Sequence, residues 1–151
     1  MQTMSRLPVV RRYSLLNRLW LVAFLAGIAA TLIDLLIVTI AAPLVYAPAD
    51  YPSFTWFPIL AGCMIGAFGA YGVYSALRRF ARRPIRAFYI TAALVLVASY
   101  GLPILPIVYP LPRFAGVNWG IAVTLMVMHT VTAIVIVTSL VAFTNKQAVR
   151  K

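Results

Sequence analysis

Four long apolar runs, each ending beside basic residues or an aromatic loop, leave this chain few ways to fold. They cover about 20–45, 57–77, 87–108 and 118–143. Each reaches or exceeds the ~20 residues that an α-helix needs to cross ~30 Å of hydrocarbon. No water is available there to satisfy peptide groups, so a crossing segment is a helix or part of a closed barrel. The alternation of polar and apolar residues that marks barrel strands is missing from these runs. The sequence therefore predicts an all-α membrane protein, with four transmembrane helices in an up-down bundle. At 64% hydrophobic and 10% charged, the chain is too apolar for a soluble domain of 151 residues.

The formal charge of +11 would suit a nucleic-acid binder, but its distribution argues against one. Twelve of the thirteen Lys and Arg fall into three clusters. These are Arg6, Arg11, Arg12 and Arg18; then Arg78, Arg79, Arg82, Arg83 and Arg86; then Lys146, Arg150 and Lys151. Each abuts an apolar run, as in loops retained on the cytoplasmic side. This places the basic N-terminal segment 1–19, the arginine turn and the tail 144–151 on the cytoplasmic side. The arginines of the turn then set topology and touch anionic lipid. The segments Tyr46–Trp56 and Tyr109–Asn118 fall outside, with Asp50 and Arg113 as their only charges and a candidate pair. A basic start followed by an apolar run resembles a signal peptide, but the run is too long, and it reads as a retained anchor. The stretch Leu7–Arg18 suits either a solvated tail or a basic amphipathic segment lying on the inner leaflet.

Both outer segments are rich in aromatics: Tyr46, Tyr51, Phe54, Trp56 and Phe57 in one, Tyr109, Phe114 and Trp119 in the other. An interfacial aromatic belt accounts for them, and an external ligand platform is the sharper alternative. Cys63 is the only cysteine, which excludes an intrachain disulfide and a Cys/His metal cage.

Two ionisable residues lie deep in the apolar runs. Asp34 is sixteen residues beyond Arg18, and His129 is seventeen before Lys146. At ~1.5 Å per residue, both sit roughly 24–26 Å from a basic anchor. An acid within a membrane helix is expensive and marks a candidate functional site. The same depth in the other runs falls at Gly62, beside Cys63, and at Leu102, near Ser99, Tyr100 and Pro103. The expected intramembrane polar site is Asp34, His129, Tyr100 and Ser99, with Pro103 freeing a carbonyl near Ser99. On the last helix, Met126, Thr132 and Ala133 share the His129 face. Asp34 and His129 either join helices through hydrogen bonds worth about 1–2 kcal/mol or serve a ligand, proton or cofactor.

The first helix carries small and polar residues on one face (Ala23, Gly27, Ala30, Thr31, Asp34, Ala41) and Leu21, Phe24, Leu25, Leu32, Leu35 and Leu36 opposite. Small residues allow close helix approach in lipid, so Gly27, and Gly62, Gly66 and Gly69 on the second helix, are expected packing positions.

The Arg82-Arg83-Pro84 turn, the mid-helix Asp34 and the Met128-His129 pair resemble an uncharacterised bacterial family of small four-helix integral membrane proteins, a domain of unknown function. The likeness covers roughly Trp20 to Phe143. It implies a multi-pass protein of the bacterial plasma (inner) membrane with no assigned reaction, and supplies no catalytic residue.

Three functions compete. The first is a small accessory or structural subunit of a larger membrane complex, bound to other subunits or to copies of itself. The second is a haem or chlorophyll-type pigment binder with His129 as axial ligand. The third is a small proton-coupled carrier using Asp34. An enzyme has least support: a Cys63–His129–Asp34 constellation rests on depth alone, and no catalytic residue is assigned.

Overall fold

The structure, a computed structural model, describes residues 9–109 and 112–149. Helix α1 spans Val9–Leu44, α2 Trp56–Phe80, α3 Pro84–Ser99, α4 Gly101–Val108 and α5 Trp119–Val149, with no strand among the described residues. Four stretches are long and apolar enough to cross a membrane: Arg18–Leu44, Trp56–Phe80, Pro84–Val108 and Trp119–Lys146. The protein is a multi-pass membrane protein. Because α1 begins at Val9, the chain leading to Arg18 continues the first span as one helix. Residues 1–8 and 150–151 and the side chain of Arg113 lie outside the described residues, and with Arg113 goes its pairing with Asp50.

The third apolar run breaks where its prolines require. Pro103 has no N–H for the Ser99 carbonyl and Pro106 none for Leu102, so the helical ladder lapses after Ser99 and resumes as α4. At the break the Tyr100 N–H reaches the carbonyls of Leu96 and Val97, each at 3.3 Å. Ser99 Oγ donates to the Leu96 carbonyl at 2.7 Å. At the arginine turn, the Ala81 N–H closes α2 on the Leu77 carbonyl at 2.8 Å. Pro84 then opens α3, at a position where the missing N–H has no helical partner to lose.

Helices α1 and α5 are the centre of the molecule. About 39% of the apolar 18-residue stretch within each of their spans is buried, against 17% for that of α2 and 11% for that of α3–α4. Leu19, Tyr74, Phe88, Leu140 and Val141 pack in one cluster, bringing the neighbouring Arg18, the arginine turn and Lys146 to one end. At the other end Asn118 Nδ2 donates to the Val45 carbonyl at 2.9 Å, while Asn118 Oδ1 accepts the Ile121 N–H at 2.9 Å. Helices α1 and α5 therefore run antiparallel.

The faces of α1 divide largely as its sequence predicts. Ala23, Ala30, Thr31 and Asp34 are buried, while Leu21, Phe24, Leu25, Leu32 and Leu36 are exposed. Leu35 departs from the lipid face, packing half-buried against the cluster of Ala30, Val38 and Cys63, and Ala41 is only half-buried. Gly27 is a packing position: a Cβ there would lie 3.2 Å from Ala67 Cβ and 3.1 Å from Met64 Sδ. The glycines of α2 depart from expectation. A Cβ at Gly62 or Gly69 would meet nothing within 4 Å, and one at Gly66 only Ile136 Cδ1 at 3.8 Å. Cys63 and Ala67 bury instead, so the glycine row is turned about a third of the way round α2, away from α1.

Candidate functional site

The α2 glycines face a cleft. Helix α2 meets α3 near the arginine turn, where the Tyr74 and Phe88 rings lie 4.6 Å apart. Beyond the break at Tyr100, α4 leans on α5 and leaves α2. The resulting V encloses about 800 Å³, with α2 on one side, α3–α4 on the other and α5 as floor. Ile65, Val95, Leu102 and Leu105 on its rims are more than half exposed, so the cleft opens sideways between the two walls. Its far end is capped by the loops. Tyr51 is buried there, with its ring edge-on to Phe54 at 5.3 Å and 6.5 Å from Phe114. Burial pushes the Tyr51 phenol up, so it remains a neutral hydroxyl. The other loop aromatics, Tyr46, Trp56, Phe57, Tyr109 and Trp119, are all at least 62% exposed. The aromatic set thus splits into a packed cap and an exposed belt.

Most of the lining is aliphatic. Its polar group is centred on Asp34, which borders the cleft from α1 although only 3% exposed. Thr132 Oγ1 donates to Asp34 Oδ2 at 2.7 Å, and Cys63 Sγ donates to the same oxygen at 3.4 Å. Thr132 Oγ1 and Cys63 Sγ are 3.7 Å apart, which closes a triangle joining α1, α2 and α5. Asp34 Oδ1 is buried with no partner, as are Tyr74 OH and Ser75 Oγ among the described residues. A buried orphan on an acid is uncommon, because desolvation goes uncompensated.

His129 borders the cleft one helical turn before Thr132. Its Nδ1 lies 2.6 Å from the Leu125 carbonyl. A carbonyl can only accept, so Nδ1 carries the ring proton and Nε2 of a neutral ring is an acceptor. Ser99 borders the cleft, but its hydroxyl is already used on the Leu96 carbonyl. Tyr100 does not reach Asp34; its hydroxyl is 2.7 Å from Thr130 Oγ1, tying the break to α5. Ala133 lines the cleft as its shared face with His129 predicts, and Met128 does so in place of Met126.

A family of unknown function matches the chain over residues 14–146. The chain belongs to that family, DUF6069. No curated protein and no solved structure matches it. The membership supplies no chemistry, so any reading of function rests on the cleft. Depth counting from the basic anchors finds Asp34, Cys63, His129 and Ser99 at its wall. It does not find the acceptor oxygen shared by Thr132 and Cys63. One signal was available: Thr132 lies three residues after His129 and faces the same helix. The Cys63–His129–Asp34 constellation is only half assembled, since Cys63 contacts Asp34 while the histidine proton is held by its own helix.

Proposed function

We propose that this protein binds a lipid-like, largely apolar molecule that enters its cleft sideways from the bilayer. The observation carrying this reading is the cleft of about 800 Å³ itself, within the roughly 300–1,000 Å³ range of small-molecule sites. A transmembrane helix ~10 Å wide and ~30 Å long fills roughly 2,400 Å³ and would lie mostly outside it. The cleft therefore favours a slender ligand over the helix of a partner subunit. An accessory role in a larger complex, or self-association, remains compatible through the exposed outer faces of α2 and α3.

Gly69→Leu is expected to test this directly. Its new side chain would project into open space, so the variant should fold normally yet lose whatever small molecule co-purifies in mild detergent. Mass spectrometry of the two preparations makes the comparison. Equal ligand content in both would overturn the reading.

A pigment is the second reading, favoured by the His129 geometry: a ring held through Nδ1 on Leu125 presents Nε2, as an axial ligand would require. It predicts a visible absorption band in the purified protein that His129→Ala abolishes.

In our topology all four spans run alternately up and down in a bacterial plasma membrane, with both termini and the arginine turn in the cytoplasm. The shared end of Arg18, the turn and Lys146 supports it. Arg82→Cys in a Cys63→Ala background should react with a membrane-impermeant thiol reagent only after the cells are opened. Labelling of intact cells would reverse the orientation.

A further inference from the structure

The chemistry of the ligand's head group can be taken further, on the premise that the cleft holds a lipid-like molecule. At the level of Asp34, every side-chain donor that borders the cleft is already in use. Thr132 and Cys63 donate to Asp34 Oδ2. Ser99 donates to the Leu96 carbonyl, and His129 Nδ1 to that of Leu125. Deeper in, Thr91 donates to the Ala87 carbonyl at 3.0 Å. Acceptors remain: Asp34 Oδ1, buried without a partner, Nε2 of the neutral His129 ring, and the lone pairs of the hydroxyls that donate. Among the described residues, no lysine or arginine lines the cleft. Tyr51 and Ser53, at the capped end, are the hydroxyls left over.

Around Asp34 the wall offers spare acceptors and no spare side-chain donor among the described residues, and such a place selects a ligand group that donates. We propose that the cleft takes a lipophilic amine: an ammonium seated against Asp34 with His129 beside it, and an aliphatic or polycyclic body lying along the α2 glycines. An ammonium has three donors and no acceptor, which complements the vacancy at Oδ1. It also brings the positive charge that a carboxylate in a low-dielectric setting otherwise lacks. Between Cys63 and Val73 the α2 wall is ten residues, ~15 Å of apolar surface for the body. Gly66 and Gly69 keep that wall open where any larger side chain would fill it. An anionic amphipath, such as a fatty carboxylate, would meet acceptors with no side-chain donor at that level to answer it.

The test uses purified protein in discs of phosphatidylcholine. The probes are a long-chain primary amine and the alcohol and carboxylate of the same chain length, each corrected for partition into empty discs. The amine should bind at least about tenfold more tightly than the carboxylate. Asp34→Asn should weaken the amine about ten- to hundredfold, the range for a hydrogen bond to a charged group, and change the alcohol by less than about threefold. Gly69→Leu should abolish binding of all three. If the carboxylate binds as well as the amine, or Asp34→Asn leaves the amine unaffected, the head-group inference falls while the cleft reading stands. If no probe binds, both fall. The wild-type ranking decides even if Asp34→Asn does not fold.

Discussion

Gly27→Leu is expected to cost the fold about 3 kcal/mol or more, while the same substitution at Gly69 leaves thermal stability in detergent nearly unchanged. Both glycines lie within apolar helices and look alike in sequence. At Gly27 the first added carbon already sits 3.2 Å from Ala67 Cβ and 3.1 Å from Met64 Sδ. Methionine can swing away, but Ala67 is fully buried and its Cβ moves only with the α2 backbone. Gly27→Ala should cost less, about 1–2 kcal/mol, because Met64 yields and Ala67 has only a few tenths of an ångström to give. The three further carbons of leucine have nowhere to go, and α1 must separate from α2. At Gly69 nothing lies within 4 Å of the added carbon. Melting curves of the two leucine variants in one detergent measure the difference. Equal midpoints would mean that α1 does not pack on α2 through Gly27.

That contrast marks where the sequence was readable. The four spans were legible because a bilayer leaves helices as the only economical crossing, and their ends were legible because Arg18, Arg78, Arg86 and Lys146 stay out of hydrocarbon. The buried face of α1 followed from segregation of Ala23, Ala30 and Asp34 from Leu25, Leu32 and Leu36. Helix α2 was harder. It has small residues on more than one face, and composition alone gave no reason to choose Cys63 and Ala67 over Gly62, Gly66 and Gly69 as the contact. In the structure Cys63 and Ala67 are the buried pair, while the break at Tyr100 turns α4 toward α5 and leaves the glycines without a neighbour. The prolines foretold a break, but not its direction. Within the site, depth along each helix was readable from residue counts, whereas azimuth was not. Tyr100 lies at the right level and bonds to Thr130 instead of Asp34.

Replacing Asp34 by valine is expected to raise the melting temperature of the protein while removing its affinity for an amine. An acid near the middle of a membrane helix costs about 2.5–3.5 kcal/mol to insert. The bonds it receives return less: interhelical hydrogen bonds in membrane proteins average about 0.6 kcal/mol and reach about 1.7. The thiol of Cys63 is a weak donor, and Oδ1 has no partner at all. Valine is somewhat bulkier than aspartate but shorter, and it leaves no large cavity. The groups left behind also have somewhere to turn. Thr31, Thr39, Thr91, Thr124, Thr130, Thr138 and Thr144 each donate to the carbonyl four residues earlier in their own helix. Thr132 departs from this habit by reaching across to α1. Without Asp34 it can rotate onto the Met128 carbonyl, so no buried hydroxyl is orphaned. The net gain should be about 1–3 kcal/mol, as when other buried charges give way to apolar residues. It is measured by thermal unfolding of ligand-free Asp34→Val against wild type in the same detergent. A loss of more than about 1 kcal/mol would identify the acid as glue between α1 and α5. A gain accompanied by loss of amine binding would instead mean that α1 retains its carboxylate at a cost to stability, and that the return on that cost is a ligand.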